Sequence, residues 1–319
     1  MNAGPLSPWP LVALFTGAAA IGVGPILVRL SEVGPCAAAW WRMAFALPVF
    51  GLWVLLEPRA VPAPRRGLLF AGVLFAVDLS LFHWGIALTT VTNSTLLSNV
   101  APVFVTIGAW WLFRQPVGWS AIGALVLALG GAAVLVLGKS HVAASAAHPA
   151  LGDGLSFIAA FAYAAYQLTV TRVRQHATTA EFMWWSSLAC AVVVGAFAVV
   201  SGDKMLPSSG HGWLAVVALA LVAQVLGQGL ITWALKHLPQ AFSTVALLFQ
   251  PLVAALIAWP LFGEVLTPVQ LIGAALLIGG VMWSRMSLVR RVEAPLGAQA
   301  IPGPPAAAIP ERPVGPAAP

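Results

Sequence analysis

The stretch FAVDLSLFHW, Phe75 to Trp84, places a carboxylate (Asp78) and an imidazole (His83) inside a run apolar enough to span a bilayer. An ionisable group at membrane depth costs roughly 2.5–3.5 kcal/mol on insertion scales, so it reads as functional by default. Asp78 falls about eleven residues into its span, near the bilayer centre, where a carboxylate suits a substrate ammonium or a proton. The competing reading is a neutral Asp hydrogen-bonded to a neighbouring helix. Five residues at 100° each set His83 about 140° around the helix from Asp78 and about 7.5 Å along it, so the two do not share one ligand atom. His83 lies nearer the outer interface, where it either lines the pathway with Trp84 or is simply hydrated. Arg42, about six residues into the preceding span, either reaches inward to Asp78 or snorkels outward. Pairing with Arg42 would keep Asp78 ionised and work against proton coupling there.

Other polar residues sit at membrane depth without charge. An offset of 146 carries Asp78 onto Gln224, and Gln228 follows one turn later on the same face. Asn99 precedes Pro102 by three residues, Gln250 precedes Pro251, and Tyr163, Tyr166 and Gln167 decorate one span. Each alone reads as interhelical glue worth about 0.6–2 kcal/mol. Together they fall on spans 3, 4, 6, 8 and 9 and leave spans 5 and 10 nearly featureless, which points to a central polar cavity with 5 and 10 at the periphery. The candidate substrate-binding or coupling residues are Asp78, Arg42, His83, Trp84, Asn99, Tyr163, Gln167, Gln224, Gln228 and Gln250. Cys36 and Cys190 form no CxxC pair and read as small apolar fillers. The chain carries no HExxH and no phosphate-binding GxxxxGK[ST], so neither a metal nor a cofactor is expected and ATP hydrolysis is excluded.

The elements that must position these residues follow from composition. Of 319 residues, 60% are hydrophobic and only 8% charged, against roughly 25% charged in soluble domains. Apolar runs of bilayer length predict an all-α integral membrane protein with ten spans, at 9–30, 36–56, 67–88, 93–113, 118–138, 152–173, 182–200, 212–234, 241–262 and 267–288. The first is too long for a signal-peptide core, and no basic residue precedes it. With both termini cytoplasmic, eleven Lys/Arg lie inside, among them Arg59, Arg65, Arg66, Arg114, Arg172 and Arg174. Arg29, Lys139 and Lys204 lie outside, so the distribution obeys the positive-inside rule and predicts a multi-pass protein of the cell membrane. Tryptophans near span ends (Trp9, Trp40, Trp41, Trp119, Trp184, Trp185, Trp213) read mostly as interfacial belts. Residues 294–319 are rich in Pro and Ala and predict a disordered cytoplasmic tail. No basic surface interleaved with aromatics marks a nucleic-acid site.

The chain also repeats itself. STLLSNVAPVFVTIGAWWLFRQ (Ser94–Gln115) aligns without gaps on STVALLFQPLVAALIAWPLFGE (Ser243–Glu264), sharing Pro102/Pro251, Trp110/Trp259 and the LF pair. After a one-residue insertion, Gly123-Ala124 matches Gly273-Ala274 and Gly130 matches Gly280. Each copy holds five helices, 9–138 and 152–288. Five is odd, so the second copy lies upside down relative to the first, the inverted repeat of secondary transporters with a site near the midplane.

These features resemble the drug/metabolite transporter superfamily, with two tandem EamA-type modules. WWRMAFALP opening the second span, the Pro-centred fourth and ninth spans and LFGEVLTPVQLIGAALLIGGV carry the resemblance, as do RLSEVGP and LLFQPLVAA. It implies a ten-helix secondary carrier for small metabolites or amphiphilic compounds, often an exporter. One departure stands out: Gln115 occupies the position after the fourth span that matches Glu264 after the ninth. The rival readings are an intramembrane lipid-modifying enzyme, for which no nucleophile–base pair is visible, and an ion channel, for which no charged ring is visible. A net-neutral site of one carboxylate, amides and aromatics suits amino acids, amines, nucleobases and aromatic drugs alike, with or without proton coupling.

Overall fold

A computed structural model describes residues 8–57, 65–89, 91–114, 117–137, 148–262 and 267–293. Gln115, Glu264, Lys139, Arg59 and the tail from residue 294 lie outside the described residues. Among those described, every regular element is a helix. In chain order they are α1 (Pro8–Leu30), α2 (Pro35–Leu56), α3 (Arg65–Leu88), α4 (Val91–Ser98, then Ala101–Phe113) and α5 (Trp119–Leu137). There follow α6 (Pro149–Val173), α7 (Thr179–Val200), α8 (Gly210–Ala234), α9 (Gln240–Leu247, then Phe249–Phe262) and α10 (Pro268–Glu293). Nine of the described helices are long and apolar enough to cross a membrane, and the shorter apolar stretch Phe242–Ile257 belongs to α9. The predicted boundaries fall within about three residues of these, except that α10 runs on to Glu293.

The helix starts follow local chemistry. Proline at the first helical turn of α2 and α6 lacks an N–H that would have no partner there. Thr178 and Glu181 form a reciprocal capping box at α7: the Glu181 amide donates to Thr178 Oγ1 (3.2 Å) and the Thr178 amide donates to Glu181 Oε2 (3.3 Å). Four helices are interrupted within the bundle. α1 breaks at Val23, inside the GVGP stretch where Pro25 withholds an N–H. The sequence did not indicate the other three: α4 breaks between Ser98 and Ala101, α9 breaks at Leu248, and α8 loosens to a π-helix over Leu219–Gln228. π segments concentrate at functional sites, and this one holds both Gln224 and Gln228.

Packing follows a regular plan. α5 lies along α10, α3 against α6 and α7, α2 against α7 and α8, α1 against α8 and α9, and α4 against α6 and α9. Exchanging each helix with the one five places on returns the same set of pairs. The α5–α10 seam repeats this reciprocity atom by atom: a Cβ on Gly131 would stand 2.7 Å from the Gly273 carbonyl, and one on Gly280 would stand 2.8 Å from the Ala124 carbonyl. These contacts interchange under the offset that aligns Ser94 with Ser243. Gly131 therefore pairs with Gly280, and the inserted residue assumed between the two stretches is not needed. One buried apolar cluster joins Met43, Phe50, Phe75, Tyr166, Phe182 and Ile231, from α2, α3, α6, α7 and α8. A second joins α5, α9 and α10 through Leu135, Leu252 and Leu277. Trp110, Trp111 and Trp119 face outward, as an interfacial belt requires. Trp41 instead packs inside the bundle, stacked on Phe45 and edge-to-face with Trp213.

Candidate functional site

Five helices converge on Asp78. Residue Asp78 sits about 20 Å along α3 from Arg65 and about 15 Å from Leu88, at 1.5 Å per residue, hence near the middle of the span. Its side chain is half-buried, and it lies in the field of the Arg42 guanidinium on α2. No donor among the described residues hydrogen-bonds the carboxylate. Arg42, also half-buried, donates from Nε to Gln224 Oε1 on α8 at 2.9 Å, and its guanidinium lies 5.7 Å from the centre of the Phe75 ring. A guanidinium only donates, so the amide oxygen of Gln224 must face it. The Gln224 amide nitrogen therefore turns to Ser187 Oγ on α7 at 3.2 Å, and both Gln224 and Ser187 are about 1% exposed. This chain of contacts fixes Arg42 by Nε and uses none of the outer nitrogens of the guanidinium.

α6 supplies the opposite wall. Phe75 stacks on Tyr166 with ring centres 4.8 Å apart, an arrangement worth roughly 0.5–1.5 kcal/mol beyond burial. Gln228 Nε2 donates to the Tyr166 hydroxyl at 2.9 Å, and Gln167 Nε2 donates to the Tyr163 hydroxyl at 2.9 Å. The Gln167 Oε1 atom is buried with no partner. A buried acceptor left open in this way calls for a donor from something else, and Gln167 stands one turn from Tyr163, which is half-buried and an electrostatic neighbour of Asp78.

The structure thus brings together six of the sequence-predicted residues: Asp78, Arg42, Tyr163, Gln167, Gln224 and Gln228. Of the other four, His83 borders the group in the field of Arg42, while Trp84, Asn99 and Gln250 stand apart. Trp84 is 37% exposed and packs edge-to-face on Phe197 of α7. His83 is buried rather than hydrated, with Nδ1 unpartnered, beside Phe82. Asn99 lies in the break of α4 with a buried, unpartnered Nδ2. Gln250 follows the break in α9, and its carbonyl crowds Gly22 of α1. Two residues of the cluster went unremarked in the sequence. Phe75 precedes Asp78 by three residues, hence on its face of the helix, and this spacing was the available signal. Ser187 had none, since a single serine in an apolar helix is unremarkable. Among the described residues no group of three His, Cys, Asp or Glu side chains gathers as a metal site.

The arrangement offers one carboxylate in the field of one guanidinium, with amides and stacked aromatics around them. The comparisons agree with a transport site. The EamA-like transporter family matches residues 8–137 and again residues 150–286. A protein of Streptantibioticus cattleyicolor described as a probable terminal-alkyne amino-acid exporter is 30% identical over 247 residues, 75% of this chain and 78% of its own length. An uncharacterized transporter of Archaeoglobus fulgidus is 25% identical over 266 residues, covering 82% of this chain and 92% of its own. A solved crystal structure superposes with a TM-score of 0.75 over 89% of this chain and 99% of its own at 17% identity, a likeness of fold. With the family matched in both halves of a chain of membrane-length helices, the protein belongs to the EamA-like transporter family of the drug/metabolite transporter superfamily and is a multi-pass membrane transporter, not an enzyme.

Proposed function

We propose that the protein is a secondary carrier that exports a small zwitterionic metabolite of the amino-acid class by alternating access. The observation that carries this reading is the pair Asp78 and Arg42. Opposite charges stand near mid-span, each half-buried, and Arg42 is anchored through Nε to Gln224 and not to the carboxylate. Two charges at membrane depth that do not satisfy each other are costly unless a ligand completes them, and a zwitterion offers an ammonium to Asp78 and a carboxylate to Arg42 at once. The amino-acid exporter among the relatives supports the same class.

The mechanism follows from two five-helix modules, 9–138 and 152–288, related by an upside-down repeat with both termini cytoplasmic. Support comes from the helix pairs that exchange under a shift of five, from the reciprocal α5–α10 contacts, and from the Lys/Arg asymmetry. The modules rock about the cluster and expose it to each face in turn. The interrupted backbones of α1, α4 and α9 are where such motion has least to break. An Asp78 charge balanced by Arg42 favours transport driven by the substrate gradient; a proton taken up at Asp78 is the competing arrangement. Efflux of labelled amino acids from proteoliposomes, with and without a pH gradient, tests the proposal. Saturable efflux of at least one amino acid is expected; its absence across the panel would overturn the substrate class.

A further inference from the structure

The RLSEVGP stretch has no part in the central site, yet it makes some of the most specific contacts in the molecule. Glu32, in the turn between α1 and α2, adopts φ of 60°, a conformation that side-chain-bearing residues rarely take without compensation. Its carboxylate provides that compensation. Oε2 accepts the amides of Ser208 and Ser209 at 2.9 Å each, and Oε1 accepts the Ser209 hydroxyl at 2.8 Å. Ser209 is the N-cap of α8, its Oγ accepting the Gly212 amide at 3.1 Å. The α1–α2 turn therefore caps α8.

The reverse contact also exists. α2 starts from Gly34 with no side-chain cap of its own, and Asp203, from the α7–α8 loop, accepts the Ala37 amide at 3.0 Å. Ser201 Oγ holds the other Asp203 oxygen at 2.9 Å. Each cap needs a glycine opposite it: a Cβ on Gly34 would lie 2.7 Å from Asp203 Cβ, and one on Gly212 would lie 2.8 Å from Glu32 Oε2. The Gly34 amide to the Lys204 carbonyl (3.0 Å) and Trp41 Nε1 to the Met205 carbonyl (2.6 Å) complete the seam. The opposite ends of α6 and α8 frame a cleft of about 140 Å³ between Thr171, Lys236 and Gln240.

We propose that Glu32 and Asp203 form a reciprocal latch that closes one end of the carrier, the outer end in the topology above. Each carboxylate caps a helix of the other half, so outward opening breaks both caps together, and the latch biases the resting carrier toward the inner face. This rests on the two-module reading of the fold, but not on the identity of the substrate.

Cys36, 1% exposed and next to Ala37, is a native reporter, and Cys190 is the other cysteine of the chain. In full-length Cys190→Ala protein in intact cells, the rate at which an external, membrane-impermeant maleimide labels Cys36 measures opening. Glu32→Gln and Asp203→Asn are each expected to raise that rate about tenfold, the effect of one charge-assisted hydrogen bond on a two-state equilibrium. Thermal unfolding in detergent should fall only by the small amount that weakening one helix cap costs. Glu181→Gln removes the charge from a cap of the same kind that lies within one half, and should leave the rate unchanged. Unaltered labelling in both latch variants, or an equal rise in Glu181→Gln, would overturn the latch. The expected labelling in a protein that exports no amino acid would uphold the latch and strike only the substrate class.

Discussion

Gln224 is the residue through which the proposed site is most sharply testable. Its amide oxygen accepts Arg42 Nε at 2.9 Å and its nitrogen donates to Ser187 at 3.2 Å, in surroundings that exclude water. Gln224→Leu keeps the approximate volume and removes both contacts. A hydrogen bond to a charged group contributes roughly 1.5–3 kcal/mol. Without it the guanidinium is free to swing onto Asp78, and substrate must then break that ion pair to bind. The expected result is a KM for efflux raised roughly 10- to 150-fold, together with a lower unfolding temperature in detergent from the orphaned Arg42 N–H. Gln224→Glu separates the two effects. It retains an acceptor for Nε, so the unfolding temperature should hold, but its charge neutralises Arg42 and KM should rise as far. Ser187→Ala, which only loosens the amide, should raise KM about fivefold, as expected for about 1 kcal/mol. Proteoliposome efflux and thermal unfolding measure all three. A Gln224→Leu protein with the KM of the parent would refute the claim that Gln224 aims Arg42 at the substrate.

Three further predictions concern the scaffold. Gly131→Leu should destabilise the protein by about 3 kcal/mol or more, since the added side chain meets the α10 backbone, whereas Gly130→Leu, with open space around it, should unfold at the parent temperature. Thr178→Ala removes half of the α7 capping box and should cost about 1 kcal/mol, read by thermal unfolding. The Ser209 hydroxyl foremost, then the Ser208 and Ser209 amides, hold the Glu32 carboxyl below the usual carboxylate range. A carboxylate lowered in the closed state strengthens that state above its open-state value and loses the effect as pH falls through the lowered one. The ratio of Cys36 labelling in the parent to that in Glu32→Gln at the same pH, which cancels the thiolate dependence of the maleimide reaction, should therefore be flat from about pH 8 to about pH 5 and rise toward one only below about pH 4.

What was legible in the sequence, and what was not, divides along physical lines. Asp78 and Arg42 stood out because charge at membrane depth is costly anywhere in the fold. The repeat led from Asp78 to Gln224, although it did not reveal that Gln224 would hold Arg42. Helical geometry separated His83 from Asp78, and the fold keeps His83 out of the hydrogen-bonded cluster. The break of α1 can be traced to GVGP, because proline acts locally. The π segment of α8 was not legible, because slackening a helix by one residue per turn depends on what packs against it. The latch was beyond reach for the same reason: Glu32 and Ser209 lie 177 positions apart, and Asp203 and Ala37 lie 166 apart. Local sequence does not encode a cap donated from another helix pair. Ser187 carried no signal, because its role is to orient a side chain that itself orients another.

The central claim is that Asp78 and Arg42 read the two charges of a zwitterion. The direct measurement is competition against efflux of a transported amino acid by three compounds: the same amino acid, its carboxamide and its N-acetyl derivative. In the parent protein only the intact zwitterion should compete well. In Asp78→Asn the N-acetyl derivative should draw level with the amino acid while the carboxamide stays weak, and in Arg42→Gln the order should reverse. Equal competition by all three compounds in the parent, or an unchanged order in both variants, would contradict the account.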